Sequence, residues 1–441
     1  MQSRSNPALT SSATQVESLG PARFDSPLRL PAESFVTPSD RVLWSSNTKD
    51  IEEFSKAGQE IPSFEAAGPR QSLFFDPQVA RCGIVTCGGL CPGLNDVVRA
   101  LTLALRYDYG IHNVLGFRYG YAGIPLSTPH EPILLTPEIV SNIHNAGGSV
   151  LGTSRGPQDI GAMIDGLLKR DLTTLFAIGG DGTLRGAAAL ADEIAKRKLP
   201  LNVIGIPKTI DNDLQWIERS FGFESAVEEA RRSVSAANNE ATSAFNGIGI
   251  VKLMGRYAGF IAAHTTVADN DVNFCLIPEV PFALAGEMGL LKALERRLAL
   301  RHHAVIVVAE GAGQDLLPPS NTTDASGNKK LQDIGRHLCD AISSHFRAQH
   351  IAATIKYIDP SYLVRGLAAN AADSEMCLKL GQHAAHAALS GRTNMLVGYW
   401  NQRFTHVPIA LAVNGRKQVD EMGELWHAVL ETTGQPRRLH G

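Results

Sequence analysis

Two acids flank an asparagine in Pro207-Lys208-Thr209-Ile210-Asp211-Asn212-Asp213, with a lysine and a threonine just upstream. That set suits phosphoryl transfer to a hydroxyl. A carboxylate at Asp211 can take the hydroxyl proton, and the Lys208 cation can offset charge on the transferred group. A solvated Asx turn capping the next helix would use the same residues without chemistry. The chemical reading is favoured by a second string, Gly179-Gly180-Asp181-Gly182-Thr183, shortly before it. Thr183 and the loop amides can cradle phosphate oxygens. Asp181 can hold Mg²⁺, which takes one or two carboxylates plus substrate phosphates. A third string, Gly88-Gly89-Leu90-Cys91-Pro92-Gly93-Leu94-Asn95, also sits between an apolar run and a helical pattern. Glycines let backbone approach a ligand closely, and free N–H groups at a helix start favour an anion. A tight strand-to-helix turn without ligand explains that string equally well.

These loops need strands and helices to hold them. Short apolar runs predict strands at 82–86, 114–117, 174–178, 203–206, 248–252, 274–277 and 305–309. Helical spacing predicts helices over 95–106, 184–196, 224–238 and 284–299. Strands alternating with helices imply parallel sheets covered on both faces, an α/β fold. Ligands in such folds bind at the carboxyl ends of strands. Residues 1–78 are rich in Pro, Ser and Gly and keep no period. They predict an N-terminal extension, partly disordered or wrapping, with only short helices such as one near 49–56. No internal repeat is visible. The polar stretch 321–330 predicts an exposed loop.

The chain has 441 residues, is 44% hydrophobic and 19% charged, and carries a net charge of -3. That balance gives no general attraction to nucleic acid or to anionic membrane, so any basic site is local. The longest apolar runs, such as 304–309, are far too short to span a bilayer. Cys82, Cys87 and Cys91 cluster without zinc-knuckle spacing, which predicts reduced thiols near a loop. Residues 1–17 are rich in Ser and Thr, with Arg4 and no acid before Glu17. A transit peptide and a plain polar tail both fit, and the tail is preferred. A cytoplasmic location is expected.

Together the first glycine string, GGDGT, PKTIDND and Met254-Gly255-Arg256 resemble, in that order, the phosphofructokinase family. The resemblance covers about 75–390. It looks closest to the long-chain, ATP-dependent branch of plants and trypanosomatids, which also carries an N-terminal extension and a segment like Lys356-Tyr357-Ile358-Asp359-Pro360. It implies two lobes with parallel-type sheets covered by helices. One is a nucleotide-binding lobe of 79–222 plus about 370–441, the other a sugar-phosphate-binding lobe of 223–369. It implies transfer of the γ-phosphoryl of Mg-ATP to fructose 6-phosphate.

By matching positions, Gly88, Arg155, Gly156 and Gly180–Thr183 would contact ATP, and Asp181 would bind Mg²⁺. Asp211 would accept the proton, with Lys208, Thr209 and Arg256 also catalytic. Thr209, Ile210, Asp213, Met254, Gly255, Arg256 and Glu310 would hold the sugar and the transferred group. Lys356, Tyr362 and Arg365 would grip the 6-phosphate. A homo-oligomer, dimer or tetramer, with allosteric control is implied too.

The chain departs from the short bacterial enzymes, which commonly have arginine where Gly247 stands, histidine at Tyr362 and arginine at Lys356. Of two arginines serving their nucleotide effector site, Arg99 remains and Leu103 replaces the other. Gly182 and Lys208 are the positions that discriminate the donor. Pyrophosphate users typically carry aspartate at the first and lysine at the second. The open glycine weighs toward ATP, with a pyrophosphate-dependent enzyme as the alternative. An NAD or lipid kinase also carries GGDGT, but leaves PKTIDND and Met254–Arg256 unexplained.

Overall fold

A computed structural model of the chain describes residues 9–319, 322–323 and 329–441. The start of the Ser/Thr-rich tail and most of the polar stretch 321–330 lie outside these. Two compact units are present: Met1–Thr209, Leu214–Gly222 and Leu367–Gly415 form the first, and Ile210–Asp213, Phe223–Gly366 and Arg416–Gly441 the second.

The first unit is built on a nine-stranded sheet. Its spatial order is Arg41–Leu43, Ser63–Ala66, Arg403–Pro408, Met395–Trp400, Asn202–Pro207, Thr174–Gly179, Cys82–Thr86, Val114–Phe117 and Ile133–Leu134. The five strands from Met395–Trp400 to Val114–Phe117 run parallel. Thr174–Gly179, Asn202–Pro207 and Cys82–Thr86 are buried at every residue, so their sequences read as apolar runs without alternation. The second unit holds a four-stranded parallel sheet ordered Phe274–Leu276, His303–Ala309, Gly247–Leu253 and Thr354–Ile358. Each sheet has its own apolar core. Among the described residues no helix is long and apolar enough to cross a membrane.

Every strand expected between 82 and 309 is present, within a residue or two at its ends. The helix expected over 284–299 instead runs Leu290–Arg301. Gly286 sits at φ +99° and Gly289 caps the helix, so the chain turns where the apolar spacing suggested helix. The adjacent strands Met395–Trp400 and Arg403–Pro408 were not expected. Their two-residue connection, Asn401-Gln402, has both φ values positive (46° and 60°). Such hairpins usually announce themselves with Asn-Gly, and glutamine conceals the turn. The expected boundary of the second stretch of the nucleotide lobe also shifts. Residues 416–441 cluster with the second unit, where Ala283 donates to the Leu439 carbonyl and Leu439 joins the core.

Among the described residues, the extension pairs with the body of the first unit. Arg41–Leu43 and Ser63–Ala66 extend the large sheet through Arg403–Pro408. Trp44, from this segment, packs edge-on to Trp216, and Trp400 Nε1 donates to the Trp44 carbonyl at 2.9 Å. Glu65 is buried among three bases: Arg70 Nη2 at 2.5 Å, Arg392 Nε at 3.0 Å and His406 Nδ1 at 3.4 Å. Burial alone would raise the Glu65 carboxyl, but His406, Arg392 and Arg70 outweigh it and bring the group down to about 2 from an ordinary 4.5. A depressed carboxylate stabilises the fold above its unfolded value. That contribution is complete above about pH 4.5 and fades as pH falls toward 2. Removing one partner of a buried ion cluster leaves the others uncompensated, at a cost of about 3–5 kcal/mol. Glu65→Gln should therefore lower the melting temperature of the first unit by roughly 10 °C near neutral pH. The gap between variant and wild type should narrow in acid. Calorimetry showing an equal gap at pH 3 and pH 7 would rule out the charge cluster as the anchor.

Candidate active site

In the first unit four loops converge at the carboxyl ends of the parallel strands. Cys82–Thr86 leads into Gly88, which sits at φ +83°, and Gly93, at φ +96°, caps the helix Leu94–Leu103. Gly88 N donates to the Ser154 carbonyl at 3.0 Å, joining this loop to the segment that carries exposed Arg155 and Gly156. Lys208 N donates to the Gly179 carbonyl at 3.0 Å, and Lys208 Nζ donates to the Gly89 carbonyl at 2.6 Å. A Cβ on Gly88 would lie 3.4 Å from that ammonium. Lys208 thus bridges the first glycine loop and GGDGT. Thr209, next to it, accepts at its carbonyl from Ser220 Oγ.

Gly180 caps the helix Asp181–Lys196, whose first turn holds Asp181, Gly182 and Thr183. Thr183 is buried, with its carbonyl accepting from Tyr121 OH at 2.8 Å. Asp181 pairs with Arg185 at 3.2 Å, both on the exposed start of the helix. Gly182 is exposed, and a Cβ built there meets nothing within 4 Å. Helix-start N–H groups and the helix dipole both favour a phosphate beside this turn. Among the described residues no three His, Cys, Asp or Glu gather into a metal cage. A single accessible carboxylate at Asp181, paired with Arg185, fits an ion that arrives on phosphates rather than one held by protein alone.

The second unit assembles the acids. Asp211 carries a buried Oδ1 without a hydrogen-bond partner. Burial raises its carboxyl well above the ordinary carboxylate range, and the charges of Asp213 and Glu310 push the same way. The Arg256 backbone N–H and the Arg416 guanidinium work against that rise. Glu310 is likewise raised by burial, with Arg256 and Lys252 opposing. Its position is fixed because Glu310 N donates to the Leu253 carbonyl at 2.9 Å, and Gly311 N to the Gly255 carbonyl at 3.1 Å. The approach is so close that a Cβ on Gly311 would overlap the Arg256 carbonyl, and Gly255 itself sits at φ +131°. Met254, Gly255 and Arg256 therefore lie beside Glu310. Arg256 stacks over the Tyr257 ring, and its Nη2 donates to the Lys329 carbonyl. Ile210, the first residue of the acid loop, is buried.

The expected phosphate grip divides. Arg365 lies over the exposed Tyr362 ring at 4.6 Å and acts on Glu310 electrostatically. Lys356, from the strand Thr354–Ile358, pairs instead with Glu240 on the helix Phe223–Thr242 at 3.4 Å.

Two bases at this site gave no sequence signal. Lys252 Nζ binds Asp359 at 2.8 Å and Asp333 at 3.2 Å, tying the end of the Lys356 strand to the helix Ile334–Ala348. Arg416 Nη1 donates to Asp213 Oδ2 at 2.6 Å. Both reach the site from segments that contain no motif.

The sequence of residues 81–388 matches the phosphofructokinase family. Curated relatives include an ATP-dependent 6-phosphofructokinase of Amycolatopsis methanolica, 48% identical over 96% of this chain and 95% of its own. ATP-dependent 6-phosphofructokinase 1 of Arabidopsis thaliana is 48% identical, over 85% and 79%. The ATP-dependent 6-phosphofructokinase of Trypanosoma brucei brucei is 41% identical, over 92% and 86%. Among solved structures, the pyrophosphate-dependent phosphofructokinase of Marinobacter aquaeolei shares the fold. It has a TM-score of 0.67 at 19% identity, covering 80% of this chain and 91% of that one. The chain belongs to the phosphofructokinase family.

Proposed function

We propose that the chain transfers the γ-phosphoryl group of ATP to the 1-hydroxyl of fructose 6-phosphate, giving fructose 1,6-bisphosphate and ADP, a step of glycolysis. The observation that carries this reading is the placement of Asp211, whose carboxyl is raised first by burial and further by the charges of Asp213 and Glu310, so that it can take a hydroxyl proton. The loops at Gly88, Arg155, Gly156 and Gly180–Thr183 would seat the triphosphate. Mg²⁺ held by Asp181 and the phosphates would neutralise phosphate charge. Asp211 takes the proton from the sugar hydroxyl as its oxygen bonds to the γ-phosphorus and the bond to ADP breaks. Lys208 and Arg256 offset charge on the transferring group, and Thr209, Ile210, Asp213, Met254 and Gly255 position it. Glu310 accepts from sugar hydroxyls, while Lys356, Tyr362 and Arg365 hold the 6-phosphate. The proposal includes a cytoplasmic location and a homo-oligomer, which sedimentation decides.

Asp211→Asn should cut kcat by about 10²–10⁴-fold and leave ATP binding nearly intact. In the wild type the raised Asp211 carboxyl must lose its proton to act. Activity should therefore fall as pH drops through that raised value, above the range of an ordinary aspartate. Near-normal turnover in the variant would remove Asp211 from the base role.

Lys356→Ala and Arg365→Ala should mainly raise the KM for fructose 6-phosphate, because a non-reacting phosphate contributes binding common to ground and transition states. A rise confined to the KM for ATP would misplace this segment.

The donor test turns on Gly182. Its open surroundings let Gly182→Asp fold normally, and an acid in the first turn of a helix is electrostatically favourable. Beside a polyphosphate the same carboxylate takes volume and repels like charge. The variant should keep its melting temperature and lose ATP efficiency about tenfold to a thousandfold, or about 1.4–4 kcal/mol. Comparing kcat/KM for ATP and pyrophosphate in both proteins checks this. A wild type that prefers pyrophosphate would overturn the ATP assignment.

A further inference from the structure

The start of the last stretch of the second unit is stitched to the acid loop and to the turn after Met254-Gly255-Arg256. Arg416 Nη1 donates to Asp213 Oδ2 at 2.6 Å, and Lys417 N donates to the Asp213 carbonyl at 2.8 Å. Gln418 Nε2 donates to the Tyr257 carbonyl at 3.0 Å, and Val419 N to Glu279 Oε1 at 2.8 Å. Glu279 in turn accepts from Gly259 N, in the turn just after Met254-Gly255-Arg256. The Arg416 guanidinium also lies 4.2 Å from the centre of the Tyr257 ring. The planar cation is therefore fixed from two sides, by a carboxylate and by an aromatic face. The Asp213 side chain is only 9% exposed, so its charge is poorly screened by water.

We propose that Arg416 is a positioning residue for phosphoryl transfer: it neutralises Asp213 and so keeps Asp211, two residues away, available as an ionised base. The inference rests on the function proposed above. The charges acting on Asp211 include Asp213 on its own loop, Glu310 at the end of the strand His303–Ala309, and Arg416, while Arg256, after Gly247–Leu253, reaches it through its backbone N–H. Arg416 is thus a cation whose charge acts on Asp211 and which also binds Asp213 through a side-chain pair. Without Arg416, Asp213 would lose this pair and its charge would bear more strongly on Asp211. The proton on Asp211 would then be held more tightly, and a larger share of the enzyme would lack its base at a given pH.

The test is the pH profile of kcat/KM for fructose 6-phosphate with saturating ATP. In Arg416→Ala the acid limb should move to higher pH by about one unit. Arg416→Lys keeps the charge and loses the planar fork, so its limb should stay near the wild-type position even if kcat falls. Asp213→Asn should move the limb to lower pH, and adding Arg416→Ala to it should shift the limb little further. If Arg416→Ala does not fold, the Lys and Asn variants still decide. A uniform drop at every pH with the limb unmoved would make Arg416 merely structural. A shift in Arg416→Lys as large as in Arg416→Ala would exclude charge as the cause. A wild type without turnover of fructose 6-phosphate would remove both this inference and the function it rests on.

Discussion

The charges of Asp213 and Glu310 both act on Asp211, whose carboxyl burial has already raised, and the second unit brings cations to offset them. Burial, with the charges of Asp213 and Glu310 added to it, raises the proton affinity of Asp211. The compensation is not local. Arg256 arrives from the end of one strand, Arg416 from the chain's last stretch, and Lys252 from a strand that also ties down Asp333 and Asp359. The parallel sheet makes such convergence possible, since every strand delivers its following loop to the same edge. Glycines then allow the loops to touch. Gly311 leaves room for the Arg256 carbonyl, where any side chain would collide.

The first unit solves the opposite electrostatic problem with the same architecture. It concentrates donors: helix-start amides behind GGDGT and a lysine fixed between two loops. Lys208 is held by the Gly89 carbonyl at 2.6 Å, which orients its ammonium between the two loops. Asp181 sits one residue past the helix cap, where the dipole favours an anion and the side chain stays accessible.

How much of this the sequence discloses depends on distance along the chain. GGDGT and PKTIDND are legible because each packs its whole chemical logic into a few consecutive residues between a strand and the following element. The buried parallel strands are legible for the same reason, as uninterrupted apolar runs. Arg416 and Lys252 are not, because what makes them important is where the fold puts Asp213 and Asp359. The hairpin 395–408 escapes because glutamine occupies a left-handed turn position that more often carries glycine. The N-terminal extension escapes because its strands are two to four residues long. They are too short to show alternation, and a buried ion cluster and a tryptophan contact hold the pair Arg41–Leu43 and Ser63–Ala66.

Gly247 shows a sequence departure with a structural cause. Short bacterial members of the family commonly have arginine there. In this chain a Cβ at Gly247 would lie 2.1 Å from the Ala241 carbonyl oxygen, at the end of the helix Phe223–Thr242. The helix end has closed over the start of the strand, so no side chain fits without backbone movement. The same helix end carries Glu240, which pairs with Lys356 across 3.4 Å. Both partners are about half exposed, at 48% and 59%, so water weakens the pair, and such surface pairs contribute about 0–1 kcal/mol. A phosphate dianion offers a lysine more charge than one carboxylate does. The closed helix end therefore removes one cation position and holds another, Lys356, in a weak pair.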